Sequence, residues 1–402
     1  MATTSTATVA TPSMPQTTVE PAGGPFIRHS EPGKARIYDL TAQAFGGLIS
    51  NPLVAVPGYA ARFRTRFVAS GGVNTVTTNV QGALDAPYSV VQLITLWDAL
   101  GTPIVSGPGF EVLRLIPMFS GGFGLGAAAD PSQLPSFAPI NSGTSGSGNF
   151  TFASAIPLEF AKGYGVLGMA DGDVLPKLQI QLNTTAAVYT TAPSGSSTVP
   201  TLEVRLNVDY YWLPVGQQIA PVGLGSTRQW FLQQANPTIG TGSTTTATSP
   251  RQGGWLDTMI FILRDANNLR LDAWPSILRF NVDGIGEIST NIDEVYDDIA
   301  VQFGIGITNE GTAGGGGLGA LGSAAFPPRP LGVIAFTRKT SLGQNLLGLL
   351  DTYEVALSTS PGTAMSIEGA PWGTITASPG VLSAVLGQVI PSGALIQGLP
   401  SE

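Results

Sequence analysis

The sequence predicts an all-β chain with a few short helices, arranged as two consecutive β-domains. Three observations carry that prediction. At 402 residues the chain exceeds one hydrophobic core and fits two units of roughly 150–200 residues. Its longest apolar runs, such as "VVQLITLW" (Val90–Trp97) and "TMIFIL" (Thr258–Leu263), are strand-sized. Near the midpoint, "NVDYYWLPVGQQIAPVGLG" (Asn207–Gly225) runs as an aromatic strand and stops at Pro214 and Gly216, with a similar amount of strand-like sequence on each side.

Residues 1–35, opening "MATTSTATVATPSMPQTT", are rich in Thr, Ala, Ser and Pro and read as a flexible arm with no amphipathic helix. The arm has neither a basic n-region nor an apolar core, so it predicts no secretory signal. In "ARFRTRFVAS" (Ala61–Ser70) Phe63 and Phe67 alternate with Arg62, Arg64 and Arg66, the pattern of a half-buried strand, and "GGVNT" turns the chain. "YSVVQLITLWDALG" (Tyr88–Gly101) and "GFEVLRLIPMF" (Gly109–Phe119) are further strand candidates. A Gly/Ser/Pro connection (Gly121–Gly148) follows. Asn149–Phe160, Leu175–Thr184 and Thr201–Pro214 then complete a first set of strands. The first half's helix is expected near "EFAKGYGVLGM" (Glu159–Met169), weakened by three glycines.

After Gly216 the cycle repeats. Gly254–Asn268 and Ser276–Thr290 read as strands, and "TNIDEVYDDIAVQFG" (Thr290–Gly304) as a helix. There Asn291 is the N-cap, Glu294 completes a capping box, and Ile292, Val295, Ile299 and Phe303 fall at helical spacing. Pro330–Thr340, Asp351–Ser360 and a Gly/Ala-rich tail close the chain. Short strands with regular turn signals imply sandwiches or jelly rolls, not a parallel α/β sheet.

Composition narrows the function. Hydrophobic residues make up 43% of the chain and charged residues 11%, against about 25% charged in ordinary soluble domains. Mean hydropathy is +0.23. No run of about 20 apolar residues exists to span a bilayer, so the low charge points to faces covered by other proteins. A net charge of −8 and a pI near 4.7 exclude a shell of phosphate contacts. With no cysteine, thiol nucleophiles, zinc–thiolate sites and disulfides are excluded.

The sequence predicts no catalytic, cofactor-binding or metal-ligating residue. "GLGALG" (Gly317–Gly322) matches a dinucleotide fingerprint literally but sits in a low-complexity loop, without the strand before and helix after that would place a pyrophosphate. Asp293, Glu294, Asp297 and Asp298 read as a solvated face or one meeting a basic neighbour, and no calcium-loop pattern supports a cation site. His29, the one histidine, lies in the arm without a nucleophile elbow elsewhere. The sequons at Asn149 and Asn183 read as chance in a Thr- and Ser-rich chain. Phe63, Phe67, Tyr210, Tyr211, Trp212, Trp230 and Trp255 lack a basic groove beside them and read as packing residues, not a base-stacking platform.

These features resemble the double jelly-roll major capsid proteins of tailless icosahedral phages of the tectivirus type, relatives in fold of the adenovirus hexon. "YYWLPVGQQIAPV" (Tyr210–Val222) resembles the family's crossing from first to second roll. "YAARFRTRFVASGGVNT" resembles an early strand, "SGNFTFASAIPLEFAKGYGVLGMADGDVLPKLQIQL" a strand–helix–strand unit, and "FPPRPLGVIAFTRK" the approach to a late strand of the second roll. The resemblance implies two consecutive eight-stranded jelly rolls, over 36–214 and 224–402, joined by a linker at 215–223. It implies a homotrimer forming a pseudo-hexagonal capsomer of an icosahedral virion shell. The loops at 121–148, 186–200, 236–253 and 309–329 would then decorate the outside, and the arm would tie capsomers together. Penton and minor cement proteins, and an internal viral membrane, are the further partners implied, with no sequence-specific nucleic-acid binding. The rival readings are a virion spike or carbohydrate-binding β-protein, and a two-domain β-sandwich hydrolase. The hydrolase is starved of catalytic groups by one His and no Cys.

Overall fold

The computed structural model describes residues 24–50, 53, 55–75, 79–120, 136–138, 144–159, 163, 165–169, 175–193, 198–214, 228–244, 247–248, 255–282, 287–309, 328–337, 365–369 and 371–389. Eight strands form a first set: β1 (Glu31–Gln43), β2 (Leu48–Ile49), β3 (Tyr59–Ser70), β4 (Val91–Trp97), β5 (Pro103–Gly107), β6 (Asn149–Pro157), β7 (Lys177–Leu182) and β8 (Thr201–Trp212). They make two antiparallel layers, in the orders β1-β8-β3-β6 and β2-β7-β4-β5. A second set follows: β9 (Arg228–Ile239), β10 (Ala247–Thr248), β11 (Trp255–Arg264), β12 (Ile277–Val282), β13 (Glu287–Asn291), β14 (Val333–Thr337), β15 (Met365–Gly369) and β16 (Gly380–Val389). Its layers are β9-β16-β11-β14 and β10-β15-β12-β13. In both sets the strands numbered by position stand as 1-8-3-6 and 2-7-4-5. That is the double Greek key of a jelly roll, repeated.

Alternation sets the layers. Along β3, Phe63, Thr65, Phe67 and Ala69 are buried while Arg62, Arg64 and Arg66 face outward. Phe67 stacks on its cross-strand partner Phe152, ring centroids 4.9 Å apart. Leu202, Val204, Leu206 and Val208 of β8 point into the same core. The outer face of this layer carries charged rungs. Lys34 is level with Asp209 and Arg62, and Asp39 with Arg205 and Arg66.

One feature joins the two rolls. Strand β9, first in the second roll, pairs in parallel with β5, fifth in the first, through Trp230 opposite Val105 and Phe231 opposite Ser106. The sheet therefore runs from roll to roll, and two edges that would otherwise stand open are closed.

Four expectations are corrected. The segment Gly109–Phe119 is no strand: Glu111–Leu115 is a π-helical turn continuing into the α-helix Ile116–Phe119. All nine residues are buried, so no polar face marks the helical period, and a short apolar run reads equally as strand. Conversely, the described residues of Glu159–Met169 hold no helix. Leu167–Gly168 instead pairs with the start of β3. The arm expected over 1–35 is docked from Gly24: a short helix, Gly24–His29, precedes β1, which begins at Glu31. Phe26 is its anchor, meeting Tyr59 and Tyr211 edge-on at 5.5 and 6.1 Å. Finally, the tail after Ser360 contributes β15 and β16, the latter central to its layer.

The helix Ile292–Phe303 is as expected, with Val295, Ile299 and Phe303 buried and Gly304 ending it at φ 63°. The Asn291 amide donates to Glu294. Loop segments 186–191 and 236–239 prove partly structured, carrying Tyr189–Thr191 and the end of β9. The linker 215–223, the strand candidate Asp351–Ser360 and the Gly317–Gly322 match lie outside the described residues.

Candidate functional site: the seam between the rolls

Ionisable groups gather where the first roll's helix meets the second roll. Arg264 closes β11, and Arg270 follows the turn in which Asn268 takes φ 63°. Asp85 lies in the turn before β4, and Glu111 opens the buried helix. Arg264 donates from Nη1 to Asp85 Oδ2 at 2.8 Å and from Nη2 to Glu111 Oε1 at 3.0 Å. Arg270 donates from Nε to Asp85 Oδ1 at 2.6 Å, and to the carbonyls of Leu331 and Leu84. Two second-roll guanidiniums thus hold a bidentate first-roll carboxylate. Phe110 lies beneath, its ring centroid 4.1 Å from the Arg270 guanidinium carbon and 5.4 Å from that of Arg114.

Burial sets the electrostatics. The Arg270 side chain is 0% exposed and that of Glu111 6%. Desolvation pushes the Asp85 carboxyl up, but Arg270 and Arg264 more than offset it and hold it below the usual carboxylate range. Glu111 goes the other way: desolvation, with Asp85 adding repulsion, outweighs the attraction of Arg264 and raises it. Glu111 Oε2 has no hydrogen-bond partner among the described residues. A cavity of about 380 Å³ opens beside it, lined by groups of both rolls including Ser89, Asn183, Leu232 and Asn268. Chemically the cluster is a clamp. It offers neither a nucleophile–base pair nor a converging set of metal ligands, and no group of three potential ligands occurs among the described residues.

A second clamp positions the acidic helix. Arg329 donates to both Asp272 oxygens, at 3.1 and 2.6 Å, and Gly332 and Asn309 donate to the same carboxylate. Burial raises the Asp272 carboxyl and Arg329 overrides it, leaving it lowered. The Arg329 guanidinium carbon then sits 3.6 Å from the Tyr296 ring centroid, fixing the inner side of the helix. Asp293 and Asp297 point out to solvent, and Glu294 accepts from Thr290.

Phe63, Phe67 and Trp230 are core residues, as packing predicts, while Tyr210, Tyr211 and Trp212 are half-buried. The side chain of Trp255 lies outside the described residues. His29 is exposed at the end of its short helix, far in sequence from the clamp. Sequence reasoning missed the seam entirely. The available signal was three charges, Glu111, Arg264 and Arg270, each set in or beside an apolar run, which is where unpaired charges do not survive.

No protein-family model matches the chain, and no curated protein matches it in sequence. Solved structures do. The structure of the STIV MCP aligns with a TM-score of 0.60 at 12% identity, over 92% of this chain and 100% of that one. The same virus, Sulfolobus turreted icosahedral virus, gives a second match with a TM-score of 0.57 at 12% identity, over 92% and 94%. The PBCV-1 virus capsid matches with a TM-score of 0.53 at 11% identity, over 91% and 95%. Topology and comparison agree, and the chain has the double jelly-roll fold of these viral major capsid proteins.

Proposed function

We propose that this chain is a structural coat protein, located in the virion, whose two rolls occupy two of six positions in a trimeric capsomer of an icosahedral shell. One observation carries the reading: a single chain repeats the same roll and locks the copies edge to edge, β5 to β9, through a seam clamped by buried ions. A repeat so joined behaves as one rigid tile. The capsid setting of the structurally similar chains supports it. So does the low charge content of the chain, 11% of its residues, which suits burial by neighbours. On this reading the chain is no enzyme. The first roll ends at about residue 214, the second begins near 224, and penton, cement and membrane contacts fall to loops and arm.

Negative-stain images of the purified protein test it. Hexagon-outlined particles are expected. Uniform particles the size of one chain would overturn the proposal, and glycan-array binding without assembly would favour the attachment reading.

A further inference from the structure

The seam inside the chain has a matching pair of strands at the other ends of the two rolls. It uses the fifth strand of the first roll and the first strand of the second. Among the described residues, their counterparts each end a sheet: β13, fifth in the second roll, and β1, first in the first roll. Strand β1 is 13 residues long and exposed along most of its length. A long open edge is a template for another strand, and folded proteins keep it covered.

The helices tell the same story. The helix after β5 is buried along its whole length, packed on β6 of its own roll and meeting the second roll at Glu111 and Phe119. The helix after β13 has the same place in its own roll, but its outer side is bare: Asp293, Glu294 and Asp297 are exposed and Val301 is 80% exposed. Among the described residues, nothing covers that outer side.

Charge points to the cover. The helix Ile292–Phe303 carries four carboxylates and no base. The layer edged by β1 carries six bases (Lys34, Arg36, Arg62, Arg64, Arg66 and Arg205) against four acids (Glu31, Asp39, Glu203 and Asp209) in a chain of net −8. This is the richest basic surface among the described strands. It flanks the open β1 edge, as the acidic helix follows directly on the open β13 edge.

We infer that the β1 edge and its basic flank receive the β13 edge and acidic helix of a second copy of this chain, repeating between copies the junction that β5 and β9 make within one. The contact is head-to-tail, so each copy gives one edge and receives another, and the series closes into a ring. The inference rests on the coat reading for the size of the ring and adds which surfaces make it.

Two tests on the full chain separate them. Asp293→Lys with Asp297→Lys should convert the assembly to single chains of 41.4 kDa, and adding Lys34→Glu with Arg36→Glu should restore it. All four side chains are exposed, so far-ultraviolet circular dichroism should stay unchanged. Because the chain has no cysteine, Ser289→Cys combined in turn with Lys34→Cys, Arg36→Cys or Asp39→Cys gives an unambiguous cross-link readout. At least one pair should form a disulfide between chains. An assembly unmoved by the reversals, with no cross-link at any of the three positions, overturns this contact and leaves the coat reading standing. A wild-type monomer overturns both.

Discussion

The ring of Phe119 meets the ring of Phe303 edge-on, centroids 5.1 Å apart and planes at 87°. Each ends the helix that follows the fifth strand of its roll, so the contact joins equivalent points of the repeat. Both rings are buried, at 1% and 9% exposure. Phe119→Ala or Phe303→Ala should each cost about 3–5 kcal/mol of unfolding free energy. A double-mutant cycle by denaturant titration should return a coupling of about 0.5–1.5 kcal/mol. Strict additivity would mean the helices do not support one another.

Asp85 neutralises two guanidiniums at the seam, one of them fully buried. Removing one partner of a buried ion pair strands the other, so Asp85→Ala should destabilise by about 3–5 kcal/mol. Replacing Asp85, Arg264 and Arg270 together by apolar residues of similar size should recover part of that loss. Urea titration of the single and triple variants checks both statements.

The two seam carboxylates give opposite pH slopes. Asp85 is lowered on folding, so its stabilisation is complete above its unfolded value of about 3.9 and is lost as pH falls through the folded value. Glu111 is raised, so stability declines as pH rises from about 4.3, its unfolded value, through the folded one. Thermal melts should therefore show a maximum on the acid side of neutrality. In Glu111→Gln the decline on the alkaline side of that maximum should shrink, while the acid collapse remains.

Gly109 lets the first-roll helix begin against β4. A Cβ there would overlap the Tyr88 carbonyl and come within 2.7 Å of the Val91 side chain. Neither the backbone nor a buried Val can yield cheaply. Gly109→Ala should cost about 1–3 kcal/mol, whereas alanine at half-buried Gly168, where a Cβ meets nothing within 4 Å, should change stability far less. Paired melting curves decide it.

Local patterns in the sequence carry part of the fold. Strands with one wet face were legible, because Phe63 and Phe67 alternate with arginines. So was the helix Ile292–Phe303, whose cap and apolar spacing are local signals. The stop after Trp212 was legible too, since Pro214 cannot donate to a ladder. Buried elements were not. The helix through Glu111 and Phe119 has no polar side to reveal its period, and β16, "GVLSAVLGQV", hides in small residues that local pattern reads as tail. The seam was the least legible part. It joins Asp85 to Arg270 across 185 positions, and only the fold brings them to 2.6 Å.

On the coat-protein reading, two rolls on one chain make one third of a six-position capsomer. Native mass spectrometry of the purified, cysteine-free chain tests this most directly. One dominant species at three times 41.4 kDa, persisting on dilution, is expected. A dominant single-chain mass under the same conditions would contradict it.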